Sequence, residues 1–201
     1  MIKHGADVNK KDRNGDTPLI KACRYCYQNI VKYLVEHGAD VNKKNKNGDT
    51  PLMKACEKNN QNIVIYLVEH GADVNKENKD GDTPLIKACR YRCENILKFL
   101  VEHGADVNKE NKNGDTPLII ACQYPYQNIV KYLVEYGANV NKENKDGDTP
   151  LIMACRYHNE NIVKYLFEHI YDVNIKNKNG TTLLITCLFI INILVLIFKK
   201  N

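Results

Sequence analysis

The sequence predicts an all-α repeat solenoid, built from stacked pairs of short helices. Three observations predict it. The phrase Gly-Asp-Thr-Pro-Leu begins at Gly15, Gly48, Gly81, Gly114 and Gly147, at a spacing of 33 residues each time, and an eroded copy begins at Gly180. A fixed period of this length marks a chain whose units bury their apolar faces only against their neighbours. Within each period, two apolar runs at helical spacing are separated by a short break. Polar turns rich in Asn, Lys and Gly fall at fixed places between these pairs, as the punctuation of a folded unit.

Residues 45–77 show how one unit is made. Asn45-Lys46-Asn47-Gly48-Asp49 is polar, and its Gly is free to take positive φ, so it reads as a β-hairpin-like turn. Thr50 caps a helix, and Pro51 fits the first helical position, where its missing N–H is no loss. Leu52, Met53, Ala55 and Cys56 form one apolar face, with Lys54 and Glu57 outside it. Lys58-Asn59-Asn60 breaks the pattern. A second helix follows, with Ile63, Val64, Tyr66, Leu67 and Val68 apolar. It ends at His70-Gly71, because Gly is a common stop just past the last turn and a basic group suits the helix dipole there. Ala72-Asp73-Val74-Asn75 returns the chain to the next turn.

This unit resembles the ankyrin repeat. Gly48, Thr50, Pro51, Leu52, Ala55, Gly71, Ala72, Asp73, Val74 and Asn75 carry the likeness, and the copies at 12–44, 78–110, 111–143 and 144–176 match similarly. The expected organisation is an array over 1–182, with a partial repeat at 1–11, and a worn terminal repeat or apolar tail at 183–201. Three departures stand out. The family's His after Thr-Pro-Leu is replaced by Ile20, Met53, Ile86, Ile119 and Ile152, so apolar contact must take the place of a Thr–His hydrogen bond. The Gly between the helices is replaced by Cys26, Asn59, Arg92, Pro125 and His158. Proline cannot adopt positive φ, so the loop at Pro125 is expected to differ from its counterparts. Ile170 replaces the closing Gly of the fifth copy.

The two ends are atypical. Met1 aligns with Leu34, so the sequence opens partway through a unit, as a piece of a longer array, as a tolerated exposed apolar end, or as an end covered by another molecule. Leu183–Phe198 is an uncharged run of 16 residues. It is shorter than the roughly 20 needed to span a bilayer. The first reading is a worn final repeat, with a membrane anchor or membrane-surface contact, and an interface with another chain, as alternatives.

Composition narrows the function. The net charge is +5 and is spread over all repeats, without a basic block. No nucleic-acid partner is expected on that ground. Of eight cysteines, Cys23, Cys56, Cys89, Cys122 and Cys155 share one repeat position. Stacked units sit too far apart for these to bridge, so they are read as buried filler. Cys23-x-x-Cys26 and Cys89-x-x-x-Cys93 lack a second ligand pair, so no metal is expected. Free thiols and the absence of an apolar leader at Met1-Ile2-Lys3-His4-Gly5 point to an intracellular, cytoplasmic setting.

No catalytic residue emerges. His4, His37, His70, His103 and His169 share one repeat position and read as helix-end caps. No phosphate-loop, zinc-hydrolase or nucleophile-elbow pattern occurs. No cofactor and no small-molecule substrate are expected. The turn tips interleave Lys46, Lys79, Lys112, Lys145 and Lys178 with Asp49, Asp82, Asp115 and Asp148, which read as a solvated row, with a mixed-charge contact as the alternative.

The resemblance implies a binding role, through the face of the first helices and the adjacent turn tips, for a protein partner that the sequence does not name. On that face Tyr25, Tyr91, Tyr124 and Tyr157 form one column, with Arg24, Arg90 and Arg156 beside it. Tyr and Arg are enriched at protein interfaces. The expected partner strip is therefore Arg24, Tyr25, Arg90, Tyr91, Tyr124, Arg156 and Tyr157, against the alternative that the tyrosines merely pack along the stack. The reading is a non-enzymatic protein-binding adaptor, with a membrane-tethered adaptor anchored by 183–198 as its rival. The Leu-x5-Asp-Val-Asn spacing further resembles the site that asparaginyl hydroxylases modify in ankyrin repeats, which marks Asn42, Asn75 and Asn108.

Overall fold

A computed structural model describes residues 7–169. The chain forms two compact units, Met1–Asp106 and Val107–Asn201. The first holds α1 (Pro18–Arg24), α2 (Gln28–Glu36), α3 (Pro51–Glu57), α4 (Gln61–Glu69), α5 (Pro84–Arg90) and α6 (Glu94–Glu102). The second holds α7 (Pro117–Cys122), α8 (Gln127–Glu135), α9 (Pro150–Arg156) and α10 (Glu160–His169). No strand occurs among the described residues.

Helices of six to ten residues are too short to persist alone. They are held by packing. In the first unit α1, α3 and α5 stack in one layer and α2, α4 and α6 in the other; in the second, α7 packs on α9 and α8 on α10. The seams are filled by residues such as Leu52, Met53, Ile63, Leu67, Leu85 and Ile96, and by Leu118, Ile119, Val130 and Leu133.

Local chemistry sets each helix start. Thr17, Thr50, Thr83, Thr116 and Thr149 are extended N-caps, and each Oγ1 accepts a hydrogen bond from the backbone N–H three residues on. Proline follows in all five copies. Ile20, Met53, Ile86, Ile119 and Ile152 are buried, so apolar contact does stand where the family has a histidine.

The first helices end in a left-handed residue. Cys26, Asn59, Arg92 and His158 take φ of 59°, 52°, 60° and 56°. The next N–H then reaches back to the third-last helical carbonyl, as Tyr27 does to Ala22 O at 2.9 Å. Pro125 is the exception, as its ring requires. There α7 stops a residue early, and Tyr126 N–H donates to Tyr124 O at 2.8 Å instead.

The histidine positions behave as caps. His37, His70 and His103 end their helices, and their Nδ1 atoms, with that of His169, lie 2.7 Å from the carbonyl four residues earlier. The segment 183–198, Ile170, Lys178 and His4, for which the sequence raises expectations, lie outside the described residues. Among the described residues no helix is long and apolar enough to cross a membrane.

Candidate functional site

Within each of the two units, two ladders of hydrogen bonds position the exposed face by joining neighbouring repeats. In the first ladder, Asn45 Nδ2 donates to Asp16 Oδ1, Asn78 Nδ2 to Asp49 Oδ1 and Asn144 Nδ2 to Asp115 Oδ1, each at 2.8 Å. The Oδ1 of the same asparagine accepts two backbone N–H groups of its own turn; Asn78 takes those of Asp80 and Asp82 at 2.9 Å. Backbone reinforces this seam, with Lys79 N–H donating to Asn47 O at 2.9 Å. Gly48 must be glycine for two reasons. Its φ is +80°, and a Cβ there would stand 2.6 Å from Lys79 N.

The second ladder uses the asparagines marked for hydroxylation. Asn42 Nδ2 donates to Gly71 O at 2.9 Å, while its Oδ1 accepts from Asp73 N at 2.8 Å. Asn75 repeats this with Gly104 and Asp106, and Asn108 with Gly137 and Asn139. Both ends of each amide are therefore occupied in a seam.

The first ladder corrects one expectation. The turn aspartates are not a solvated row: Asp16, Asp49, Asp82 and Asp148 are 1–3 % exposed and Asp115 is 7 % exposed. Of that row the lysines, Lys46, Lys79, Lys112 and Lys145, face water. Alternation of sign along the sequence hid an inside–outside alternation, because each aspartate turns inward to cap the seam.

Burying a carboxylate requires a partner, and the first helices provide a cation for Asp16, Asp49, Asp82 and Asp148. Arg24 Nη2 stands 2.6 Å from Asp16 Oδ2, an ion contact without well-directed hydrogen-bond geometry. Arg90 grips Asp82 through two contacts, at 2.9 and 3.3 Å. Arg156 does the same to Asp148, with Nη2 to Oδ1 at 2.6 Å. In the second repeat Glu57 replaces the arginine, and Lys54 moves in, 2.7 Å from Asp49 Oδ2 and 3.0 Å from Glu57. Lys87 extends the network to Glu57 at 3.6 Å and Asp82 at 3.2 Å. Burial pushes the Asp49 carboxyl up, but hydrogen bonds from Lys54 and Asn78 outweigh it and hold the group below its ordinary value. Burial lowers Lys54 likewise, and its bonds to Asp49 and Glu57 overcome that and raise it.

Arg24, Arg90 and Arg156 thus occupy the expected face but are committed to their own repeats. Sequence reasoning missed their partners, although each arginine lies eight residues after its aspartate. The tyrosines are less committed. Tyr25, Tyr91 and Tyr157 end the first helices with 60, 48 and 51 % exposure. Tyr124 departs from the column. It is half-buried and stacks on Tyr126, with ring centroids 5.0 Å apart and an interplanar angle of 11°; Tyr25 pairs with Tyr27 in the same way, at 5.9 Å and 28°, so it is the lower exposure that sets Tyr124 apart.

The cysteines contribute no chemistry to this face. The seven among the described residues are free. Burial pushes the thiols of Cys23, Cys56 and Cys89 far up, and that of Cys93 to about 11, which keeps them protonated and inert. Cys26 alone of the seven is exposed. Among the described residues no group of three His, Cys, Asp or Glu side chains could hold a metal ion.

The chain matches no curated protein at a significant level of similarity. The family model of ankyrin repeats, in its three-copy form, matches in overlapping stretches at 1–78, 39–111, 74–144, 104–179 and 140–196. Repeats of this kind generally mediate protein–protein interaction, and proteins built from them are typically non-enzymatic. With Thr-Pro caps, paired helices and stacked turns recurring every 33 residues beneath that match, the chain belongs to the ankyrin-repeat family.

Proposed function

We propose that the chain is a non-enzymatic adaptor that binds a protein through the first-helix face of its repeats. One observation carries the reading. Tyr25, Tyr91 and Tyr157 occupy the same repeat position and keep about half of each ring in water. Tyrosine offers a large amphipathic contact area at low conformational cost, which makes it a common anchor in interfaces. The neighbouring arginines hold the turns in place and stiffen the face from which these rings project. Seven unbridged thiols support an intracellular, cytoplasmic setting for such an adaptor.

The test replaces the tyrosines alone, since replacing the arginines would also loosen the turns. Native chain and a Tyr25→Ala, Tyr91→Ala, Tyr157→Ala chain are used as bait, and captured proteins are quantified by mass spectrometry. The expected result is a loss of tenfold or more in a small set of proteins, with an unfolding midpoint close to that of the native chain. Capture of the same proteins in undiminished amounts would overturn the proposal.

A further inference from the structure

Asp115 departs from its four sister residues. Asp16, Asp49, Asp82 and Asp148 each meet a cation from the first helix of the same repeat: Arg24, Lys54, Lys87 with Arg90, and Arg156. That cation comes from the position five or eight residues after the aspartate. In the fourth repeat those positions carry Ile120 and Gln123.

The consequence is a carboxylate largely withdrawn from water and only half satisfied. Asp115 is 7 % exposed. Its Oδ1 accepts from Asn144 Nδ2 at 2.8 Å. Among the described residues no ion pair reaches it and Oδ2 has no hydrogen-bond partner, yet that oxygen is not sealed from solvent. A buried charge without its counter-charge is costly, and a cation delivered to it gains a charge-assisted hydrogen bond. Gln123 stands at the arginine position with helical backbone, φ −71° and ψ −13°. The position from which Arg24, Arg90 and Arg156 supply a cation from within therefore carries no charge in this repeat, and Asp115 keeps 7 % exposure where its sisters keep 1–3 %.

We propose that Asp115 Oδ2 receives a basic side chain, Lys or Arg, presented by the protein partner. The proposal rests on the adaptor reading for the source of that side chain, and on the repeat's own geometry for the site. A single open oxygen sets the stoichiometry at one cation. The chain's net charge of +5 works against unspecific attraction of basic groups, so saturable binding at this point has a local cause.

The experiment titrates the isotope-labelled full chain with N-acetyl-arginine amide, and with N-acetyl-glutamine amide as control, and follows backbone and side-chain amide signals by NMR. Saturable shifts at Asp115, Thr116 and the Asn144 side chain are expected with the arginine compound only. Gln123→Arg restores the cation from within. It is expected to raise the unfolding midpoint by a few degrees and to reduce the shifts at least fivefold. Absent shifts, or shifts that persist undiminished in Gln123→Arg, would overturn the site. The adaptor reading fails separately. Should the triple tyrosine chain capture every protein that the native chain does while arginine amide still binds, the cation site stands without the tyrosine strip. Should capture be unaffected by Gln123→Arg and arginine amide fail to bind, the strip stands without the cation site.

Discussion

Asn78→Asp keeps the shape of the seam and reverses one dipole. Asn78 Nδ2 lies 2.8 Å from Asp49 Oδ1, and Asn78 Oδ1 accepts from Asp80 and Asp82. The substitution keeps both backbone acceptors but sets a carboxyl oxygen against a carboxylate. Two unit charges at that distance repel by about 6 kcal/mol at an effective dielectric of 20. The new carboxyl escapes by holding its proton. At pH 7 that costs about 4 kcal/mol, roughly 1.4 kcal/mol for each unit above an ordinary value near 3.9. The cheaper route wins, so the loss of stability at pH 7 is about 4 kcal/mol. Lys54, 2.7 Å from Asp49 Oδ2, keeps the negative charge on Asp49 and the proton on the substituted residue.

The sign follows from linkage. The folded pKa of the new group is raised above its unfolded value, so the folded state binds a proton that the unfolded state has released. Stability then falls as pH rises, by about 1.4 kcal/mol per unit, and recovers towards pH 4, where a shared proton remakes the bond. Asn78→Ala removes three hydrogen bonds at about 1 kcal/mol each and shows no such slope. Urea unfolding followed by circular dichroism at pH 5, 6, 7 and 8 separates the two. A flat difference between Asn78→Asp and the native chain over pH 5–7, or a cost under about 1 kcal/mol at pH 7, would refute the reasoning.

Three further outcomes are expected. Cys26→Gly relieves a residue held at φ 59° and should stabilise by about 0.5–1 kcal/mol in denaturant titration, with a loss of stability counting against strain at that loop. Gly48→Ala places a Cβ 2.6 Å from Lys79 N at φ +80° and should cost about 3 kcal/mol or more; a cost below about 1 kcal/mol would mean that the turns are not tightly stacked. Maleimide or iodoacetamide applied to the native chain at pH 8 should label Cys26 rapidly, while Cys23, Cys56 and Cys89 stay unlabelled until the chain unfolds, since burial holds those thiols protonated; peptide mapping by mass spectrometry reads this directly.

The parts of this fold that the sequence displays are those whose chemistry is local. Thr50 and Pro51 are adjacent, and the bond from Met53 N–H to Thr50 Oγ1 closes within three residues. Pro125 announces its own exception, because one ring decides one dihedral. The seams are legible only as repetition, since Asn78 and Asp49 meet across 29 positions and nothing near either of them names the other. The aspartates were misread for the same reason. Lys46 and Asp49 look alike in a polar turn, and only stacking sends one outward and the other in. Of the candidate strip, the columns were visible, but the use of Arg24, Arg90 and Arg156 as counter-ions depends on that inward turn. The stacking of Tyr124 on Tyr126, like that of Tyr25 on Tyr27, depends on the loop between the helices, which brings two rings together across one residue.

The asparagine ladder also bears on how such a chain changes its length. Excising residues 45–77 would bring Asn78 into the register that Asn45 now holds against Asp16. The severed joint would reform from the same two side chains. Inserting an additional period would likewise create a joint already present elsewhere. Genetic loss or gain of a whole period is therefore cheap for this molecule, whereas the gain or loss of a single residue between Asp49 and Asn78 would put the joint between those two out of register.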